Sequence, residues 1–318
     1  MRIGIIGTGR IAGRFVAECR EVEGVQVSAV YNPHAGSAES FVKWLWDDEK
    51  DRPAALDNIE GLWGAVDAVY IASPHETHFN YIISALEQGK HVLCEKPMTL
   101  NKDEACRAFS AAKKLGPVLM EGLKTVYCPG YKKLLEVVRS GMIGEIKYIE
   151  SRFTKLEKPG VRELTDRQYG GSFRELGSYV CLPVMDILGM DSRNVRFSRI
   201  DSEAGIDVFT KIDFVYDRGL ASAICGLGVK TEGSLLISGT LGYIKADAPW
   251  WKTSHFEVHF EDVTKIEMFD EVFAGDGLRY EIEEFKRRIE GSGAGTDKSE
   301  EDRIVAMGRL MEEFGKIK

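Results

Sequence analysis

Short apolar runs alternate with helical patterns along the first third of the chain. Runs that are apolar on both faces predict strands at residues 3–6, 25–31, 68–72, 92–94 and 118–120. The segments between them carry apolar side chains at three- and four-residue spacing, which predicts helices at residues 11–22, 38–45, 80–88 and 102–114. Strands and helices that alternate in this way predict an α/β fold with a doubly wound parallel sheet.

The pattern changes after about residue 122. One more helix is predicted at residues 131–139, and strands follow at residues 145–155, 208–215, 220–225, 234–237 and 256–260 with Gly and Asp at their ends. Amphipathic helices are predicted at residues 280–289 and 300–314. Strands that follow one another without regular helices indicate an antiparallel sheet. We therefore expect a second, α+β domain, with the boundary near residues 120–124.

Composition narrows the class of protein. A chain of 318 residues with 44% hydrophobic and 29% charged residues fits one large or two ordinary globular domains. The net charge of −8 argues against a dominant nucleic-acid surface. The six cysteines form no Cys-x-x-Cys pair and fit a reducing compartment. Without an apolar run that could span a bilayer or a signal-peptide pattern, we expect a cytoplasmic protein with no membrane partner.

The turn after the first strand matches the dinucleotide-binding pattern G-x-G-x-x-G/A. Its six residues are Gly7, Thr8, Gly9, Arg10, Ile11 and Ala12. Gly7 permits a tight turn, Gly9 lets the backbone approach a pyrophosphate, and Ala12 keeps helix and strand close. The amide groups that open the helix then face the phosphates. Because the turn lies between a strand and a helix, it predicts a site for NAD or NADP.

The end of the second strand bears on the choice between the two cofactors. Asn32 lies where an acid that binds the adenosine ribose is expected. Asparagine can bind a ribose hydroxyl without repelling a 2′-phosphate, and the nearby Arg10 and His34 can balance the charge of that phosphate. The sequence therefore leaves NAD and NADP open.

The strand at residues 68–72 leads into a turn and the start of a helix. We expect this turn, with Ser73, Pro74, His75 and His78, to line the cofactor site. The two histidines lack the His-Glu-x-x-His spacing of a zinc site, and no third ligand is evident. No metal site is therefore predicted.

Glu95, Lys96 and Pro97 follow the strand at residues 92–94, at the edge where an open α/β sheet binds its ligands. Pro97 restricts the backbone of Lys96. An ammonium at this place can stabilise developing charge on a substrate oxygen. We expect Lys96 to be catalytic and both Lys96 and Glu95 to adjoin the cofactor. The alternative is a surface lysine paired with Glu95.

A helix that follows Gly170 and Gly171 carries Glu175 and Tyr179. Their four-residue spacing places a carboxylate and a phenol on one helix face. Such a pair can hold a polyol and transfer a proton. A phenol has a pKa near ~10 and needs a nearby cation to act as a base at neutral pH; Lys96 is the predicted cation. The alternative is an exposed glutamate beside a packing tyrosine.

Taken together, these motifs resemble the Gfo/Idh/MocA family, named for glucose–fructose oxidoreductase and inositol dehydrogenase. The resemblance rests on four segments, residues 7–12, 72–97, 170–179 and 239–244. It implies an NAD(P)-binding Rossmann domain at residues 1–122, and a domain with a large, open, mainly antiparallel sheet at residues 123–318. It also implies redox chemistry at a carbinol or carbonyl carbon of a sugar, polyol or cyclic diol, and a homodimer formed through the open sheet.

The resemblance assigns roles to single residues. In the family the lysine of Glu-Lys-Pro is catalytic, which corresponds to Lys96. The usual Asp-x-x-x-His pair corresponds to Glu175 and Tyr179, and a tyrosine there is similar to the dihydrodiol and xylose dehydrogenase branch. Glu175 and Lys124, which replaces a common asparagine, depart from the family pattern. These departures keep open a cofactor-sensing protein without turnover, and the pair Trp250 and Trp251 keeps open a reductase of a non-sugar substrate.

Overall fold

The computed structural model describes residues 1–291 and 297–317, with only the backbone of Glu49. The chain divides into two compact units. The first consists of Met1–Lys124 and the described part of Gly275–Gly308, and the second of Thr125–Ala274 and the described part of Arg309–Lys318. The sequence analysis expected a single boundary, with residues 1–122 in the first domain and 123–318 in the second. In the structure, the described part of Gly275–Gly308 also belongs to the first unit.

The first unit contains a six-stranded sheet. Its strands are β1 (Arg2–Ile6), β2 (Gln26–Tyr31), β3 (Ala54–Leu56), β4 (Ala68–Ile71), β5 (His91–Glu95) and β6 (Leu119–Gly122). All neighbours pair in parallel, in the order β3-β2-β1-β4-β5-β6. This confirms the predicted doubly wound sheet. The order reverses between β1 and β4, and ligands bind at the carboxyl edge of such a switch point.

Five helices connect these strands: α1 (Arg10–Cys19), α2 (Ser37–Leu45), α3 (Glu60–Ala65), α4 (His78–Glu87) and α5 (Lys102–Leu115). Their apolar faces cover the sheet. Phe15 of α1, for example, stacks on Tyr70 of β4 with ring centroids 3.6 Å apart. Asn101 begins α5 by accepting the backbone N–H of Glu104 at 2.9 Å, and Gly116 ends it in the left-handed conformation.

The second unit contains an eight-stranded sheet and three helices. In chain order its elements are α6 (Pro129–Arg139), β7 (Ile146–Thr154), α7 (Arg162–Thr165), α8 (Ser172–Leu188), β8 (Asn194–Asp201), β9 (Asp207–Val215), β10 (Leu220–Gly226), β11 (Leu235–Gly239), β12 (Gly242–Ala246), β13 (His255–Phe260) and β14 (Ile266–Asp270). The strand order is β14-β13-β12-β11-β7-β10-β9-β8. Only β7 and β10 pair in parallel, which confirms the mainly antiparallel sheet.

The two faces of this sheet differ in burial. Helix α8 packs against β7, β9 and β10. On β7, Ile149 and Ser151 are fully buried, whereas the alternate residues Tyr148, Glu150 and Arg152 are partly exposed. This period of two is the pattern of a sheet with one face on a core.

Two further helices follow, α9 (Leu278–Glu290) and α10 (Lys298–Gly315). Helix α9 packs against α1 and β6 of the first unit. Arg279 binds the carboxylate of Glu18 on α1 through two side-chain nitrogens, each 3.0 Å from a carboxylate oxygen. Such two-pronged charge-assisted pairs fix orientation as well as distance, which is why α9 belongs with the parallel sheet. No helix in the described residues is long and apolar enough to cross a membrane.

Candidate functional site

The turn after β1 is shaped by close contact with the end of β4. Gly7 has a φ of +107°, and a Cβ there would lie 2.5 Å from the carbonyl oxygen of Ala72. The N–H of Gly7 donates to the carbonyl of Tyr31 at the end of β2. A side chain at position 7 is therefore excluded by conformation and by space.

Gly9 differs from Gly7, because a Cβ at position 9 would meet no protein atom within 4 Å. Packing within the protein therefore does not explain this glycine, and the space beside it remains for another molecule. Helix α1 begins at Arg10, and Gly9 caps it without a side-chain hydrogen bond. The first amide groups of α1 are thus positioned for an anion, and the turn fits a pyrophosphate.

A groove of about 990 Å³ adjoins this turn. Gly9 and Arg10 line one side, and Gly36 and Ser37, where α2 begins, line another. Arg10 is exposed. The groove therefore combines the positive charge of Arg10 with the start of α2. Both features suit a second phosphate group in addition to the pyrophosphate.

Asn32 ties the end of β2 to the glycine turn. Its amide donates to the hydroxyl of Thr8 at 2.8 Å, and its oxygen accepts the backbone N–H of His34 at 2.9 Å. The side chain of His34 is exposed. The structure therefore places an amide, and no carboxylate, at the tip of β2.

The turn after β4 contains a fully buried histidine. One ring nitrogen of His78, Nδ1, lies 3.0 Å from the carbonyl oxygen of Pro97, and the other, Nε2, lies 2.9 Å from that of Ser73. Burial, followed by the charge of Lys96, lowers the pKa of His78, although the two carbonyls oppose this. In the same turn Pro74 is exposed and His75 is half-buried. Within the described residues no His, Cys, Asp and Glu cluster could hold a metal ion.

Lys96 emerges at the carboxyl end of β5 with only 8% of its surface exposed. One oxygen of Glu95 accepts the hydroxyl of Tyr70 at 2.5 Å, and the other accepts the backbone N–H of Lys96 at 3.2 Å. The alternative of a surface lysine is therefore wrong. Tyr70, which the sequence analysis did not single out, fixes Glu95 from β4.

Two further carboxyl groups are buried beside this strand end. Glu121 accepts the backbone N–H of Met98 at 3.0 Å, and burial raises its pKa to about 7. Glu281 of α9 is fully buried, and neither of its oxygens has a hydrogen-bond partner among the described residues. Burial, reinforced by the charge of Glu95, raises the pKa of Glu281 well above its usual value. These surroundings therefore favour the protonated form of Glu281.

In the second unit, the start of α8 is fixed by a buried aspartate. Asp207 of β9 accepts the backbone N–H of Phe173 at 2.9 Å and the hydroxyl of Thr210 at 2.8 Å. Gly171 precedes the helix with a φ of +106°, and a Cβ there would collide with Asp207. Burial raises the pKa of Asp207 to about 6.

Helix α8 presents Glu175 and Tyr179, both half-buried, one turn apart. The ring of Phe153 meets Tyr179 edge-on with centroids 5.2 Å apart, and its face stacks on Trp251 at 3.5 Å. Trp250 differs from Trp251, because it is fully buried and donates its Nε1–H to the carbonyl of Arg152 at 2.9 Å. Trp250 is thus a core residue, and Trp251 belongs to the aromatic cluster around Tyr179.

Comparison with known proteins supports the fold and matches the first domain to a family. Residues 1–123 match the model of the GFO_IDH_MocA family, described as an oxidoreductase family with an NAD-binding Rossmann fold. Scyllo-inositol 2-dehydrogenase (NADP(+)) IolU of Bacillus subtilis is 27% identical over 326 aligned positions, which cover 99% of this chain and 96% of the relative. Residues 1–123 thus match the NAD-binding domain of this family, and the relative is similar over the length of the chain.

Other proteins resemble the chain over most of its length. Trans-1,2-dihydrobenzene-1,2-diol dehydrogenase of Bos taurus is 28% identical over 82% of this chain and 78% of its own. The crystal structure of KijD10, a 3-ketoreductase from Actinomadura kijaniata in complex with NADP and TDP-benzene, superposes with a TM-score of 0.83. It is 23% identical and covers 98% of this chain and 96% of that one, so it supports the fold alone.

The family model matched by residues 1–123, together with the relatives that are similar over most of the chain, confirms the predicted NAD(P)-dependent oxidoreductase. The glycine turn, its vacant surroundings at Gly9 and the start of α1 fit such a cofactor. The individual site residues stay predictions. The sequence analysis did not identify Glu281 as a buried residue. The available signal was its position four residues before the core residue Phe285, which places both on one helix face.

The two glycines should respond differently to alanine. We expect Gly9→Ala to leave the thermal unfolding temperature within about a degree or two, since surface changes cost less than ~0.5 kcal/mol, and to weaken NAD(P) binding about tenfold or more. Gly7→Ala should lower the unfolding temperature, because Ala72 blocks its Cβ. Calorimetry and cofactor fluorescence titration measure both effects. Equal losses of stability in the two variants would contradict this assignment.

Glu281→Gln should stabilise the protein increasingly as pH rises. Because its pKa is raised on folding, the native state binds more protons than the unfolded state above the ordinary carboxyl range, and stability falls with pH by up to about 1.4 kcal/mol per unit. Glutamine removes this dependence. Denaturant unfolding between pH 4 and pH 9 measures it.

Glu284 on the same helix is the matched control. Arg287 and then Arg288 hold the pKa of Glu284 down to about 2, so its stabilising effect is present at neutral pH and is lost only in acid. Glu284→Gln should therefore lower stability at neutral pH. A Glu281→Gln curve parallel to that of the wild type would show that Glu281 is ionised in the folded protein.

Proposed function

We propose that this oxidoreductase transfers a hydride between the nicotinamide of NAD(P) and a carbon that bears a hydroxyl or keto group in a sugar, polyol or cyclic diol. The observation that carries the proposal is the burial of Lys96 at the carboxyl end of β5, with its backbone held by Glu95. Relatives that act on an inositol and on a dihydrodiol support this substrate class.

The predicted residues divide the chemistry among them. Lys96 donates a hydrogen bond to the reacting oxygen and stabilises its negative charge. In the oxidative direction Tyr179, as phenolate, takes the hydroxyl proton, while the carbon–hydrogen bond breaks and its electron pair leaves as hydride. Glu175 accepts hydrogen bonds from neighbouring hydroxyls and so orients the ring. When bound, the nicotinamide accepts or returns the hydride at C4.

Lys96→Met and Tyr179→Phe should each lower kcat by about 10²-fold or more, because proton transfer and charge stabilisation contribute on that scale. Cofactor affinity should change little in Tyr179→Phe. A panel of sugars, polyols and diols, followed through nicotinamide absorbance, measures turnover.

Lys90 and Tyr216 provide the matched controls. Lys90 precedes β5 and donates to the carbonyl of Val66 at 3.0 Å, and Tyr216 donates to that of Gly189 at 2.9 Å. Lys90→Met and Tyr216→Phe should keep near-normal kcat. If the wild type bound NAD(P) but turned over no compound of the panel, a cofactor sensor would replace this proposal.

We further propose that NADP is accepted at least as well as NAD. Asn32 offers an uncharged amide at the tip of β2, and Arg10 lies in the adjoining groove. A 2′-phosphate at the tip of β2 would lie near the positive charge of Arg10, and the uncharged Asn32 would not repel it. Scyllo-inositol 2-dehydrogenase (NADP(+)) IolU and the KijD10 complex with NADP support this cofactor.

Asn32→Asp should weaken NADP binding by about tenfold, because the new charge lies at the tip of β2 close to the 2′-phosphate, a repulsion on the scale of ~1 kcal/mol or more. NAD binding should stay within a factor of about three. Titration of both cofactors against the wild type and Asn32→Asp measures the ratio. A variant that weakens both equally would instead show that the loss of the Thr8 contact perturbs the turn.

We propose a homodimer formed through the partly exposed face of the eight-stranded sheet. One row across this face includes Tyr243, Tyr148 and Leu220, which share a face by strand register. Leu220 is 52% exposed and Tyr243 39%. A two-fold axis would pair such a row with itself. A cytoplasmic location is proposed on the six cysteines, which are all free thiols.

Leu220→Glu should shift the protein from dimer to monomer, because it places a charge within the apolar row. Val263→Glu is the control, since Val263 is 85% exposed and lies in the turn between β13 and β14. Sedimentation velocity measures the mass of each variant. A wild type that sediments only as a monomer contradicts the proposed dimer.

A further inference from the structure

The ring of His78 lies between two backbone carbonyl groups that belong to different parts of the site. Its Nδ1 is 3.0 Å from the carbonyl oxygen of Pro97, and its Nε2 is 2.9 Å from that of Ser73. The side chain is fully buried. Both polar atoms of the ring are therefore directed at protein backbone, as expected of a packing residue at the start of a helix in the turn predicted to line the cofactor.

Pro97 is the middle residue of a segment whose backbone N–H groups are bound by buried side chains. The N–H of Lys96 donates to Glu95 at 3.2 Å, and the N–H of Met98 donates to Glu121 at 3.0 Å. Proline has no N–H, so its carbonyl is the remaining contact, and His78 faces it. Three side chains from β5, β6 and α4 thus fix the backbone from which the Lys96 side chain extends.

Ser73 belongs to the turn that the sequence predicts to line the cofactor. Its hydroxyl lies 2.7 Å from that of Thr77, and Thr77 donates to the carbonyl of Pro74 at 2.7 Å. The turn is therefore internally braced, and His78 connects this braced turn to the lysine segment. We infer that His78 is a positioning residue that couples the cofactor turn to the catalytic lysine, an inference that rests on the proposed function of Lys96.

The chemistry of the ring determines which substitutions test this coupling. The charged groups that face His78 are Lys96, which disfavours a second proton, and Glu76, which favours it; the ring of His75 lies edge-on at 5.6 Å. Burial and Lys96 favour the neutral ring, whose single N–H donates to one of the two carbonyls while the ring packs against the other; a protonated ring would donate to both. Phenylalanine keeps the ring without nitrogen, whereas glutamine keeps an N–H donor of similar reach.

His91 is the matched control. It lies at the opposite end of β5, is partly buried, and accepts the backbone N–H of Val118 through Nδ1 at 2.9 Å. His91→Phe therefore also removes one histidine–backbone contact near the same strand, but four residues before Glu95. Thermal unfolding, cofactor titration, and kcat and KM at saturating cofactor are measured for His78→Phe, His78→Gln and His91→Phe.

We expect His78→Phe to lower kcat about tenfold or more with a smaller change in KM, since misplacement of a catalytic group by an ångström can cost up to ~10²-fold. His91→Phe should lose comparable stability and keep its kcat, and His78→Gln should recover most of the lost kcat. Equal kcat in His78→Phe and the wild type would overturn the inference, as would equal losses in both phenylalanine variants. If His78→Phe does not fold, His78→Asn, whose amide is shorter, takes its place.

Hydrogen exchange separates this inference from the proposed function. If the wild type turns over no substrate, the redox proposal fails, and the amides of Lys96 and Met98 then report on the His78 contact alone. These amides should exchange about tenfold faster in His78→Phe than in His91→Phe, as expected when a buried hydrogen bond worth ~1 kcal/mol is lost. Unchanged exchange in His78→Phe would overturn the coupling.

Discussion

The burial of charged and polar groups at the carboxyl edge of the parallel sheet is the constraint on which the site depends. A buried ion is costly unless it is paired and hydrogen-bonded. Glu95 meets this condition through Tyr70 and the backbone of Lys96, and Glu121 through the backbone of Met98. The lysine segment is consequently fixed by contacts from β4, β5 and β6. A reactive amine held in this way is oriented before any substrate binds.

The same edge of the sheet explains the two glycines of the first turn. Gly7 is required by the protein itself, because the carbonyl of Ala72 occupies the space of a side chain. No contact among the described residues requires a glycine at position 9, because a Cβ there would meet no protein atom within 4 Å. The fold thus brings strand ends so close that one glycine is structural, and it leaves beside the next a space that an anion can enter. We propose that this anion is the pyrophosphate of NAD(P).

The sequence predicts the parts of the structure that depend on local pattern. Long apolar strands such as β1 and β5 are recognised because both of their faces are buried, and the glycine turn because its spacing follows from backbone geometry. Strand β3 (Ala54–Leu56) has only three residues and little burial, and β8 alternates between exposed and half-buried positions, so neither has a strong signal. Tyr70, His78 and Glu281 act through partners distant in sequence. Their roles follow only from tertiary contacts, since a buried Glu281 within a charged helix resembles an exposed one.

Transfer of deuterium from nicotinamide C4 to a product tests the central claim most directly. NAD(P)H that carries deuterium at C4 is incubated with the protein and a panel of keto sugars, inososes and cyclic hydroxyketones, and products are analysed by mass spectrometry and NMR. The account predicts that one deuterium appears on the new carbinol carbon, and that labelled product forms about 10²-fold more slowly when Lys96 is replaced by methionine. Tight cofactor binding with no deuterium in any product, or transfer that is unaffected by loss of the Lys96 amine, would contradict it.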